Sequence, residues 1–91
     1  MIKNKDTIRA ILNELKWNKK YDERDFTLKY IHRGSPRGYK KINISEIKDI
    51  LGAFFTLNEK EFNDQLINIP FHRILEIKNE KINKIIYEKV Q

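Results

Sequence analysis

The sequence predicts an α+β fold: one N-terminal helix, then a five- or six-stranded antiparallel sheet, strongly curled or closed into a small, partly open barrel. Three observations lead there. Apolar residues recur with a helical period near the start, at Ile8, Ile11, Leu12 and Leu15. Beyond residue 25 they alternate in short runs, the period of strands with one buried face. Glycine, proline, asparagine and charged residues separate those runs, so successive strands are joined by short connections and pair antiparallel. At 91 residues the chain makes a single domain, 1–91, with one modest core.

Asp6 and Thr7 are N-cap candidates for the helix, and Arg9, Asn13, Glu14 and Lys16 fall on its polar face. Trp17 closes it, expected to pack under the sheet. A helix this short in so small a domain serves internal packing before partner binding. Asn18 to Asp25 has no periodicity and reads as a solvated loop. From Phe26 to His32, Phe26, Leu28 and Tyr30 alternate with Thr27, Lys29 and Ile31, predicting a strand. Gly34, Ser35-Pro36 and Gly38 then turn the chain into a second strand, Tyr39 to Ile44. Ser45 to Leu51 starts on a cap-like serine and reads as a short helical turn stopped by Gly52. Ala53 to Leu57 is a third, buried strand, and Asn58 to Gln65 a charged connection carrying Phe62. Ile67, Ile69 and Phe71 resume period two, but the apolar phase restarts at Ile74 and Ile77. That break predicts a bend at Pro70 to Arg73 that pushes His72 and Arg73 off the sheet face. Ile74 to Lys78 and Ile82 to Val90 form a closing hairpin around Asn79-Glu80-Lys81.

Composition excludes several functions. There is no cysteine, which removes disulfides and thiolate metal sites. The acidic residues are scattered without a ligand pattern, so neither a metal nor another cofactor is expected. No apolar run reaches membrane-span length, and Met1-Ile2-Lys3-Asn4-Lys5 lacks the apolar stretch of a signal peptide. A cytoplasmic protein without membrane contact is the expectation. A net charge of +6 and a pI near 9.6 point to a polyanionic partner, although lysines kept for solubility give the same balance. The arginines are more specific: Arg33, Arg37 and Arg73 all sit in two unusual stretches, and arginine suits bidentate phosphate binding.

Those stretches are Tyr30 to Lys41 and Ile69 to Ile74. They hold the chain's two histidines and two prolines, and each histidine precedes an arginine. An anion site needs converging backbone N–H groups and adjacent positive charge. Gly34 and Gly38 supply the freedom, Ser35 a hydroxyl, and Arg33, Arg37, Lys40 and Lys41 the charge. Read alone, the loop is equally a plain hairpin turn with solvated arginines; the second His-Arg pair favours a shared site. Tyr30, Tyr39 and Phe71 stand near the charge and can stack a base, though alternating strand positions favour core packing.

The order Leu15-x-Trp17, Phe26 to Tyr30, His32-Arg33-Gly34-x-Pro36, Ile42, Glu46-Ile47, Phe54-Phe55, Ile69-Pro70-x-His72-Arg73-Ile74, Ile77 and Ile86-Tyr87 resembles the RNA cyclic-group-end recognition domain family. These are small, mostly archaeal, uncharacterised proteins, and the domain also occurs fused to RNA-processing enzymes. The likeness covers nearly the whole chain; Tyr87 stands where the family usually has tryptophan, and Asn58 to Gln65 lacks the usual glycine turn. The resemblance implies binding of RNA ends, including those with a 2′,3′-cyclic phosphate, in RNA processing or repair, with an RNA-processing enzyme as a possible partner.

Residues and resemblance together set one expectation: a non-catalytic RNA-binding module. Its pocket comprises His32, Arg33, Gly34, Ser35, Arg37, Gly38, Lys40, His72 and Arg73. Two alternatives stay open. One is a small metal-independent RNA-end phosphodiesterase using His32 and His72, against which stands the lack of a Ser or Thr two residues after either histidine. The other is a basic domain that binds an acidic protein.

Overall fold

The structure, a computed structural model, describes residues 5–59 and 65–89. Helix α1 spans Lys5–Trp17 and is followed, among the described residues, by seven strands rather than the expected five or six: β1 Phe26–Ile31, β2 Tyr39–Asn43, β3 Ile47–Ile50, β4 Phe54–Glu59, β5 Gln65–Pro70, β6 Ile74–Asn79 and β7 Lys84–Glu88. They form two antiparallel sheets, of order β2-β1-β6-β7 and β3-β4-β5. The α+β class stands. The single curled sheet or barrel does not, because β3 and β5 are edges of a separate three-stranded sheet and neither sheet closes.

Burial explains the elements. Ile8, Leu12 and Leu15 of α1 are buried against one continuous core. Along β1, Phe26, Leu28 and Tyr30 are buried while Thr27, Lys29 and Ile31 are half-exposed, as the alternation requires. Ile69 and Ile67 of β5 lie opposite Phe55 and Leu57 of β4 on the face turned to the core. Among the described residues fourteen buried apolar side chains make that core, drawn from the helix, both sheets and the short turns between them.

Four sequence expectations are corrected. The helix begins at Lys5, ahead of Asp6 and Thr7, so neither precedes it as an N-cap. Ser45 is not a cap: Asn43 is, with its side chain accepting from the Ser45 N–H and Glu46 returning to the Asn43 N–H. The helical turn it caps is Ile44–Glu46 and not Ser45 to Leu51; Ile47–Ile50 is β3, because Ile47 and Ile50 find a pairing edge on β4. Trp17 does not pack under the sheet; it is 60 % exposed. The neighbouring Lys16 side chain is only 9 % exposed, its ammonium bonded to Glu23 Oε1 at 3.3 Å and to the Ser45 carbonyl at 3.2 Å. A long stem with a charged tip covers apolar surface while its tip reaches partners at the edge, a form the rigid indole lacks. The expected turn around Phe62 lies outside the described residues.

Candidate nucleic-acid interface

The bend forecast at Pro70 is a single 3₁₀ turn, Phe71–Arg73. Pro70 ends β5 in extended backbone, and the Phe71 N–H donates to the Ala53 carbonyl at 3.0 Å. Phe71 and Ile74, three positions apart, are both buried. A turn that sends both inward leaves His72 and Arg73 outside, and both are exposed.

On the other stretch the hairpin loop is two turns in succession. Ser35 N–H donates to the His32 carbonyl at 3.2 Å, Gly38 N–H to the Ser35 carbonyl at 3.0 Å, and His32 N–H to the Gly38 carbonyl at 2.9 Å. The chain regains β2 only because Gly38 takes φ +80°. His32 is held from three sides. Its Nδ1 lies 3.0 Å from Ser35 Oγ, its ring meets Tyr30 edge-on at 6.2 Å, and its Cε1 would be 3.2 Å from any Cβ at position 34. Among the described residues no hydrogen bond engages Nε2. Gly34 is therefore needed for the closeness of the imidazole, not for an unusual φ.

Strand register relates the two stretches. β1 and β6 run antiparallel, and their ladder ends at Tyr30↔Ile74. His32 follows β1 by one residue beyond Ile31, and His72 lies two residues before Ile74, so both leave the same end of the pair. Arg33, Arg37 and Arg73 are exposed, and among the described residues none is ion-paired to a carboxylate. Arg37 donates to the Tyr39 hydroxyl at 3.4 Å. Lys40 stands across from Tyr30, on the sheet face of the core, whereas Lys41 stands on the other face and pairs with Glu80 at 2.8 Å. That outer face also carries Lys29–Glu76 at 3.9 Å.

Sequence reasoning missed one cation here. Lys89 Nζ donates to the His72 carbonyl at 2.6 Å, brought there because the Lys89 N–H pairs with the Leu75 carbonyl beyond the end of β7. No local motif marks it; only the β6/β7 pairing does. A cleft of about 550 Å³ lies at the opposite end of the ladder, between α1 and β7, lined by Ile11, Tyr21, Phe26, Ile82 and Ile85 among others. Among the described residues no cluster of acidic or histidine side chains has the form of a metal site, and no helix is long and apolar enough to cross a membrane.

Residues 5–89 match the family model described as the MJ1316 RNA cyclic group end recognition domain. The chain is 40 % identical over 83 residues to a UPF0248 protein of Methanococcus vannielii, covering 91 % of this chain and 92 % of that one. A UPF0248 protein of Methanocaldococcus jannaschii is 32 % identical over 82 residues, 90 % of this chain and 92 % of its own. One from Saccharolobus islandicus is 32 % identical over 84 residues, 90 % and 98 % respectively. No solved structure matches the chain.

Proposed function

The chain belongs to the MJ1316 RNA cyclic group end recognition domain family, and from that premise we propose that it is a non-catalytic module that binds the end of an RNA, including a 2′,3′-cyclic phosphate terminus. The observation that carries this reading is the register of β1 and β6: two His-Arg pairs leave one end of one ladder, with three exposed arginines lacking acidic partners among the described residues. Arginine presents planar, bidentate donors suited to phosphate oxygens. In the proposal Arg33, Arg37 and Arg73 take the phosphate. His32 Nε2 and His72 bond a phosphate or ribose oxygen, and Ser35, Gly34, Gly38 and Lys40 shape the loop around it. A cyclic phosphate carries one negative charge and no free 2′-hydroxyl, so discrimination rests on shape and on few donors.

The test is a titration of three otherwise identical oligonucleotides ending in a 2′,3′-cyclic phosphate, a 3′-phosphate or a 3′-hydroxyl, at two salt concentrations. The expected order puts the cyclic end first, with affinity falling as salt rises. Equal affinity for all three refutes end recognition. The hydrolase reading has one observation in its favour, the orientation of His32 with Nδ1 engaged and Nε2 open. Turnover of a 2′,3′-cyclic mononucleotide that vanishes in His72→Ala decides for it.

A further inference from the structure

Three aromatic side chains stand beside the cationic stretches in the sequence, and the fold separates them. Tyr30 and Phe71 are each 1 % exposed, locked in the core, Tyr30 against Phe55 at 6.0 Å. Tyr39 is directly opposite Ile31 in the β1/β2 ladder, on the outer face, and half-exposed. It follows Gly38, the last residue of the loop, and is the first residue of β2. Lys29 Nζ sits over one face of the ring, 5.1 Å from its centroid, and Arg37 bonds its hydroxyl. The Arg37 hydrogen bond, with the further pull of Lys29 and Lys41, holds the phenol below its ordinary range.

We infer that Tyr39, beside Ile31 on the outer face and with Arg37 on its hydroxyl, is through the ring face opposite Lys29 the stacking subsite for the base of the nucleotide whose phosphate the loop binds; this rests on the RNA-end reading above. An aromatic face held on a strand beside positive charge accepts any base, since every base has a π-face, and so adds affinity without reading sequence. The subsite also explains how a terminal nucleotide is held. The loop's arginines take the phosphate, and the ring fixes the base, so the ribose between them is bound at two ends. Purines, with the larger face, are favoured over pyrimidines.

The test compares three small ligands: adenosine 2′,3′-cyclic phosphate, its uridine counterpart, and methyl riboside 2′,3′-cyclic phosphate, which lacks a base. Titrations followed by NMR use wild type, Tyr39→Phe and Tyr39→Ala. Tyr39→Ala is expected to weaken the adenosine ligand roughly five- to a hundredfold and to leave the baseless one unchanged, while Tyr39→Phe keeps the ring and stays near wild type. In wild type, adenine protons shift upfield and the adenosine ligand binds more tightly than its uridine counterpart. Binding by wild type with Tyr39→Ala unaffected overturns the subsite alone. Equal loss for the adenosine and the baseless ligand also overturns it, placing Tyr39 on the phosphate. If wild type binds none of the three, the RNA-end reading falls and the subsite with it. Should Tyr39→Ala fail to fold, the wild-type proton shifts and the adenosine preference decide the matter.

Discussion

Replacing Gly38 by alanine isolates a backbone effect at the tip of the candidate interface. Gly38 holds φ +80°, and a Cβ built there meets nothing within 4 Å. No clash contributes, so the whole penalty is that of an L-residue in left-handed backbone, about 1–2 kcal/mol. For a domain of this size each kcal/mol moves the melting midpoint by roughly 4–8 °C, so Gly38→Ala should melt about 5–15 °C lower. Asparagine tolerates that region better, and Gly38→Asn should lose markedly less. Gly38 closes the second turn by donating to the Ser35 carbonyl, and it accepts from the His32 N–H at the base of the loop. The same substitution should therefore loosen His32 and weaken RNA-end binding beyond the global effect. Thermal unfolding followed by circular dichroism gives the midpoint, and the amide resonances of His32 and Ser35 report the loop. An unchanged midpoint in Gly38→Ala, or an equal drop in Gly38→Asn, would refute the backbone account.

Gly34→Ala makes the opposite pattern: φ there is outside the left-handed region, so stability should change by less than about 1 kcal/mol, while a Cβ at 3.2 Å displaces the His32 ring, visible in its NMR shifts. Arg33→Ala and Arg73→Ala should each weaken binding of a cyclic-ended RNA about ten- to a hundredfold. Their double mutant should lose less than the sum if one phosphate is shared, and strict additivity in that cycle contradicts a shared site. Lys16→Ala removes a buried stem and two hydrogen bonds, an expected loss of about 1–2 kcal/mol, against under about 1 kcal/mol for Trp17→Ala; chemical denaturation of both variants ranks them. Glu80 has its pKa lowered below 4.5, first by the Lys41 hydrogen bond and then by that of Thr27. A depressed carboxylate stabilises the fold above its ordinary value and loses that contribution as pH falls through the folded one, so Glu80→Gln should flatten the acid side of the stability curve, measured by melting from neutral pH downwards.

Where the amino-acid order decided this protein, it did so through local rules. The helix stripe Ile8, Leu12, Leu15 and the alternation Phe26, Leu28, Tyr30 announce their buried faces, because backbone period alone sets which side chains share a side. The bend at Pro70 to Arg73 was legible for the same reason: a proline and a one-step phase slip between Phe71 and Ile74 admit no straight strand. Only tertiary structure decided what followed. Whether Lys16 or Trp17 goes inward depends on Glu23 and the Ser45 carbonyl, which arrive from elsewhere in the chain. Two sheets formed instead of one because β4 captured Ile47 to Ile50 as its edge. Which of three neighbouring aromatics stayed available was settled by the core's claim on Tyr30 and Phe71. That both histidines reach one end of the β1/β6 ladder is a property of register, and register is fixed by long-range pairing that no local window of sequence contains.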